Sequence, residues 1–300
     1  MLDRKSFDVI MSVHEMSGGC GAALTQRDIC EETGFSLGTV NACVKGLRAD
    51  GILSDANIIT DRGYAVLEDY RVRRAVFIAA GFGSRMVPVT LSTPKPLVVV
   101  NGRRIIDTVL DALVAQDIRD VHIVRGYLSE QFDALLQKYP FVKFIENDSY
   151  SEANNISSAL LASHLLERAY ICEADLLLSN PKIITKYQYQ SNILGMMKER
   201  TDDWCFNIRN GYITEEVVGG VNQYQEVGIT YLDEKDGRSA GEDLKKAYAM
   251  PGGKELFWEQ IFFKVFKGKY KIAVRECKES DIVEIDTFSE LKSIDKSYDV

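Results

Sequence analysis

From residue 75 onward, short apolar blocks alternate along the chain with amphipathic stretches. Ala75–Ala80 (AVFIAA) is a continuous apolar block bounded by glycine, the pattern of a strand buried on both faces in a parallel sheet. Apolar positions then recur at helical spacing over Ile105–Gln116. Asp120–Arg125 predicts a strand, Ser129–Lys138 a helix, Val142–Glu146 a strand, Asn155–Leu166 a helix and Ala169–Glu173 a strand. This alternation predicts an α/β fold with helices on both faces of the sheet. Ligands of such sheets bind outside the carboxyl ends of the strands.

Residues 1–73 follow a different pattern and are expected to form a separate domain, with 74–300 as the second. Phe7–Met16 has helical apolar spacing broken by Gly18-Gly19. Thr25 caps a second helix ending at Gly34, and Ser36 caps a third ending at Gly51. Two short β-like pieces, Ile52-Leu53 and Asn57–Thr60, come next, and Asp61-Arg62-Gly63-Tyr64 leads into a closing helix through Tyr70. The order resembles the winged helix-turn-helix modules of bacterial transcription regulators. That resemblance implies DNA as a partner, with Ser36, Thr39, Asn41 and Lys45 on the exposed face of the third helix. Acidic residues outnumber basic ones across the segment, and only Lys45, Arg48 and Arg62 offer a basic patch, so a protein-contact or regulatory role is the competing expectation.

Charge narrows the partners of the whole chain. A net charge of −8 argues against general affinity for nucleic acid or anionic membrane. The six cysteines, Cys20, Cys30, Cys43, Cys172, Cys205 and Cys277, contain no C-x-x-C pair. With no secretory leader and no long apolar run, they are expected to be reduced thiols of a cytoplasmic protein without membrane contact. A homodimer is admitted, but nothing in the sequence specifies one.

The chemistry concentrates in three places. The first is residues 75–100, AVFIAAGFGSRMVPVTLSTPKPLVVV. Gly81 and Gly83 let backbone approach phosphates, and Arg85 and Lys95 supply positive charge beside them. The run is neither a P-loop nor a dinucleotide fingerprint, since it lacks both the G-K-[ST] ending and a third glycine. The second is Asp175, directly after an apolar strand. The third is I-V-E-I-D-T (282–287), where Glu284 and Asp286 alternate out of a strand on the same side. Carboxylates from distant strands suit Mg²⁺, which takes a few hard oxygens and keeps water and phosphate as its other ligands. They also suit plain strand-end solvation.

The string A-A-G-x-G-S-R-M-x-P-x-T-x-x-x-P-K-P-L resembles the signature of nucleotidyltransferases that make activated sugars and alcohols. The further motifs GYLSEQF (126–132), YSEANNISSAL (150–160), TDDW (201–204), FWE (257–259) and VEIDT (283–287) are similar to those of bacterial choline-phosphate cytidylyltransferases, over roughly residues 75–295. The resemblance implies a Rossmann-like domain with a mixed, mainly parallel sheet. It also implies Mg²⁺-dependent transfer of a cytidylyl group from CTP to phosphocholine, with release of pyrophosphate. The implied roles are Arg85 on the departing pyrophosphate, Lys95 on the α-phosphate and acceptor phosphate, and Asp175 and Asp286 on the metal. Ala79, Ala80, Gly81, Gly83, Ser84, Gly126, Tyr127 and Ser157 are implied around the nucleotide.

On the acceptor side, Asn154-Asn155-Ile156-Ser157-Ser158 replaces the Gly-Thr-Ala-type turn usual in the sugar-specific branch, and Asn154 is expected at the substrate. A quaternary ammonium needs aromatic faces and a counter-charge, each cation–π contact contributing roughly 0.5–2 kcal/mol. Trp204, Tyr231 and Trp258 are the candidate walls and Glu284 the candidate counter-charge. Two other expectations stay open. One is a sugar-1-phosphate nucleotidyltransferase; the other is a transcription regulator whose C-terminal domain senses a metabolite without catalysis.

Overall fold

A computed structural model of the chain describes residues 1–18 and 24–299. Gly19 and Cys20, both singled out above, lie outside the described residues. The chain forms two compact units, Met1–Arg71 with Tyr187–Tyr189, and Val72–Lys186 with Gln190–Val300.

The first unit is built from capped helices. Helix α1 (Arg4–Ser17) starts at Asp3, whose carboxylate accepts the Ser6 N–H at 2.7 Å. Gly18, at φ +53°, ends it in a left-handed turn. Helix α2 (Gln26–Thr33) opens on a reciprocal capping box between Thr25 and Asp28, and Gly34 closes it at φ +69°. Helix α3 (Leu37–Ala49) is capped by Ser36. Leu53 pairs antiparallel with Ile59 as the wing, before α4 (Asp61–Leu67) and a 3₁₀ turn through Tyr70. Phe7, Ile10, Ile29, Val40, Val44 and Leu47 form the centre of its core.

The second unit holds β1 (Arg74–Ile78), β2 (Val99–Val100), β3 (Arg103–Arg104), α5 (Ile105–Ala115), β4 (Asp120–Arg125) and β5 (Val142–Glu146). Next come α6 (Ile156–Leu161), β6 (Ala169–Glu173), β7 (Leu176–Leu178), β8 (Asn192–Arg209) and β9 (Tyr212–Leu232). It ends with α7 (Glu234–Ala249), β10 (Ala273–Cys277), β11 (Ile282–Glu284) and α8 (Phe288–Ile294). The central sheet has seven strands in the order β10-β8-β9-β6-β1-β4-β5. Strands β6, β1, β4 and β5 run parallel, β10 runs parallel to β8, and β9 is antiparallel to both β6 and β8. The sheet is therefore mixed and mainly parallel.

Two expected helices are shorter and tighter than their spacing predicts. Residues 129–137 wind as 3₁₀ helix. The stretch 155–166 breaks at Ala162, where α6 gives way to a 3₁₀ turn over Ser163–Leu165. Both segments carry helical apolar spacing, but each is short enough for its ends to determine its winding.

Tyr231 and Trp258 depart from their expected role. Tyr231 is 2% exposed and packs edge-on against Tyr170 in the core, and Trp258 is 1% exposed against Phe262. Neither lines the cleft described below. Each satisfies the burial of a large aromatic surface, which the sequence pattern cannot distinguish from a binding wall. Among the described residues no helix is long and apolar enough to cross a membrane.

Candidate active site

A cleft of about 560 Å³ opens at the carboxyl ends of β1 and β6. Strand β1 delivers Ala79, Ala80, Gly81 and Gly83 to one wall. Gly83 stands at φ +67°, and a Cβ there would come within 3.1 Å of the Lys95 Cβ. Glycine therefore allows the left-handed turn and lets Lys95 come this close. The Thr90 hydroxyl donates to the Gly83 carbonyl at 3.0 Å, and the Tyr127 hydroxyl donates to the Thr90 carbonyl at 2.9 Å. Tyr127 thus braces the loop from behind, its ring edge-to-face with Phe82 at 4.6 Å.

Gly126 also acts indirectly. A Cβ there would lie 2.8 Å from the Tyr150 ring, and it is Tyr150 that lines the cleft. Ser84 is exposed in the 3₁₀ turn beside Arg85 and is not part of the lining. Ser157 lines the cleft, its hydroxyl accepting from Asn147 Nδ2 at 3.0 Å and donating to the Asn154 carbonyl at 2.9 Å.

Antiparallel pairing of β11 with β7 explains how the distant acidic motifs meet. Glu284 lies opposite Leu176, and the Ile285 N–H donates to the Asp175 carbonyl at 3.1 Å. Lys95 Nζ then donates to Asp175 Oδ2 at 2.7 Å and to Asp286 Oδ1 at 2.8 Å. The Arg85 guanidinium, 66% exposed, reaches the same Asp286 oxygen at 2.9 Å. Burial pushes the Lys95 ammonium down, but the two aspartates outweigh it and hold its pKa above the ordinary lysine value.

Asp286, expected beside Asp175 on a metal, thus has one oxygen occupied by the two cations. Glu173 and Glu284 stand with Asp175 instead, one carboxylate oxygen of each lying within 4.8 Å of the others. Burial, with Asp175 next in weight, pushes Glu173 up to about 8 and Glu284 up to about 10. Asp175 Oδ1 is buried without a hydrogen-bond partner. An orphaned hard oxygen among crowded carboxylates fits a divalent cation of the Mg²⁺ type. Glu173 has no motif signal of its own. The close approach of Gly228 makes its space, since a Cβ there would meet Glu173 Cγ at 2.6 Å.

The far end of the cleft is acidic and partly aromatic. A bulge in the β8–β9 ladder sets Asp202 and Asp203 opposite the single residue Gly219, between the pairs Thr201–Gly220 and Trp204–Val218. Asp203 and the half-buried Trp204 line the cleft there, and Trp204 meets Phe257 edge-to-face at 6.1 Å. Glu216 and Glu226 from β9 and Glu259 from the F-W-E motif complete the lining. Burial pushes the carboxyls of Glu226 and Glu259 well above the ordinary glutamate range, with the neighbouring glutamates adding to it.

Asn154 and Asn155 hold the F-W-E segment in place. The Asn154 amide donates to the Glu255 carbonyl at 3.3 Å, and Asn155 Oδ1 accepts the Trp258 backbone N–H at 2.8 Å. Asn154 lines the cleft while its side chain is engaged in this brace. The expected acceptor residues Trp204 and Asn154 therefore reach the cleft, and Glu284 reaches it at the metal-type cluster.

Comparison with known proteins agrees with this geometry. Residues 75–190 match the family described as MobA-like NTP transferase domain, and residues 22–54 match winged helix-turn-helix DNA-binding. The 2-aminoethylphosphonate cytidylyltransferase of Lancefieldella rimae is 36% identical over 228 residues, 75% of this chain and 92% of the relative. The choline-phosphate cytidylyltransferase of Streptococcus pneumoniae is 27% identical over 74% of this chain and 97% of the relative. The solved structure of the CTP:phosphocholine cytidylyltransferase from Streptococcus pneumoniae superposes with a TM-score of 0.70 at 28% identity, covering 76% of this chain and 99% of that one. The glycine loop, Lys95 and Asp175 lie within residues 75–190, and the chain belongs to the cytidylyltransferase family of CTP-using nucleotidyltransferases, with a winged-helix module at its N-terminal side.

Proposed function

We propose that this chain transfers a cytidylyl group from CTP to a phosphate or phosphonate oxygen of a small cationic amine. Phosphocholine, phosphoethanolamine and 2-aminoethylphosphonate represent the acceptor class. The observation that carries the reading is the Lys95 bridge between Asp175 and Asp286 beside the glycine loop, at the carboxyl ends of β1 and β6. An acceptor oxygen attacks the α-phosphorus and forms the new P–O bond. The bond to the β-phosphate breaks, and pyrophosphate leaves with the electron pair.

The chain's own groups act by position and charge. Loop N–H groups around Gly81 and Gly83 receive phosphate oxygens, Lys95 follows charge developing at the α-phosphate, and exposed Arg85 meets the departing pyrophosphate. Glu173, Asp175 and Glu284 would hold Mg²⁺, which supplies charge neutralisation across the phosphates when bound. The acidic far end of the cleft supports a cationic acceptor over a neutral sugar phosphate.

The test is Mg²⁺-dependent pyrophosphate release with CTP, UTP, dTTP and ATP against the three amines and glucose-1-phosphate. Turnover selective for CTP and an amine is expected. Turnover confined to the sugar phosphate would overturn the acceptor class. Lys95→Ala and Asp175→Ala should each lower kcat by about 10²–10³-fold or more, with circular dichroism unchanged. Wild-type rates in either variant would overturn the mechanism.

For the N-terminal unit, a role other than sequence-specific DNA binding gains support from Arg48. Its guanidinium is spent on the Asp55 carbonyl at 2.6 Å and Asn57 Oδ1 at 2.7 Å. That leaves Lys45 and Arg62 of the expected basic patch. A gel shift with upstream DNA of its own operon, with and without CTP, tests this reading, and a specific shift would refute it.

A further inference from the structure

The acceptor end of the cleft has more carboxylates than aromatic faces. Glu216, Glu226 and Glu259 line it together, Glu226 lying close enough to both of the others for their charges to oppose its own. Glu259 is 6% exposed, lines the cleft and, among the described residues, forms no ion pair. The aromatic side is thin by comparison. Trp204 and Phe257 meet edge-to-face, and Tyr231 and Trp258 are withdrawn into the core.

These two facts separate the chemistries of cationic amines. A trimethylammonium group donates no hydrogen bond, needs aromatic faces around it, and would leave buried carboxylates without a donor. An alkylammonium with its N–H bonds intact presents three donors and one charge to a cluster of carboxylate acceptors. The Asn155–Trp258 hydrogen bond at 2.8 Å fixes the backbone that carries Glu259, so the acceptor carboxylate is set in place before the ligand arrives.

Building on the reading of this cleft as a cytidylyltransferase site for a cationic acceptor, we propose that the site selects a primary alkylammonium over a quaternary one, and that Glu259 sets this preference. Phosphocholine, the acceptor expected from the sequence resemblance, is then the poorer member of the class. In an acceptor with its phosphoryl group at the Lys95 end, the ammonium projects toward Glu226 and Glu259.

The experiment is a methylation series with the full chain, Mg²⁺ and saturating CTP: phosphoethanolamine, its mono- and dimethyl derivatives, and phosphocholine. The expected kcat/KM falls with each methyl group and by about tenfold or more across the series, the worth of at least one charge-assisted hydrogen bond. Glu259→Gln should collapse that primary-to-quaternary ratio toward one. Damage to the fold would instead lower both ends of the series alike and leave the ratio standing, which would overturn the role of Glu259. Glu226→Gln, on the neighbouring strand, is the second variant and should compress the ratio in the same direction. A wild-type preference for phosphocholine overturns the inference outright. Silence with every acceptor refutes the proposed function instead. Calorimetric binding of 2-aminoethylphosphonate against its trimethylammonium counterpart then decides the ammonium preference alone, equal affinities counting against it.

Discussion

Lys95 has a position that its charge alone does not explain. It sits where two carboxylates from opposite ends of the sequence converge, and it can do so because residue 83 is a glycine. Gly83→Ala would impose a left-handed conformation on a residue with a Cβ, a cost of about 1–2 kcal/mol, and would press that Cβ against Lys95 and Thr90. The expected result is a loss in kcat/KM for CTP of about tenfold or more, measured by steady-state pyrophosphate release. An unchanged value would mean that the loop relaxes freely. Arg85, Lys95 and Asp175 were legible at this scale because each belongs to a motif or stands next to an apolar strand. Glu173 and Glu226 were not, since an isolated glutamate in a strand looks like ordinary surface until its neighbours are known, and Glu259 lies in the F-W-E motif without having been assigned a role there.

Among the elements, caps and pairings matter more than propensity. Helix α2 has eight residues, too short for intrinsic helicity to hold it, and depends on its capping box and on burying Ile29. Thr25→Ala should cost about 1 kcal/mol. The expected readout is several-fold faster hydrogen–deuterium exchange across Gln26–Thr33, with exchange in β1 and β6 unaffected. No change in α2 would show that the cap contributes nothing. The bulge in β8–β9 is the counterpart in the second unit, because it places Asp203 and Trp204 at the cleft by breaking the ladder at Gly219. In sequence T-D-D-W is a motif without a stated geometry, and only the register of the paired strand makes it a bulge.

For the molecule as a whole, the acidic cleft couples stability to pH. Burial raises Glu226 and Glu259 above the ordinary glutamate value of 4.5, and Glu173 up to about 8. The folded protein therefore keeps these protons to higher pH than the unfolded chain does. That stabilisation is complete below 4.5 and is lost as pH rises through the folded values. Free of ligands, the protein should have a lower Tm at pH 8 than at pH 5.5 by differential scanning calorimetry. Glu226→Gln should flatten the dependence, and Mg²⁺ at pH 8 should recover part of the loss. A Tm that rises steadily over this range would contradict the burial of these carboxyls.

The sequence by itself determined the order of the four parallel strands up to Glu173, the glycine loop with its arginine and lysine, and the winged-helix arrangement of the first unit. Local physics governs all three: apolar blocks bounded by glycine, side-chain caps and turns that need a left-handed residue act within a few positions. The tertiary structure alone decided the long β8–β9 ladder, the grouping of Glu173 with Asp175 and Glu284, and the burial of Tyr231 and Trp258 in the core. It also decided the convergence of three glutamates at the acceptor end. These depend on which strands pair and in what register, over separations of about a hundred residues between Asp175 and Glu284. A carboxylate acquires its chemistry from the groups it meets there, and an aromatic ring becomes wall or core according to the face it is turned to.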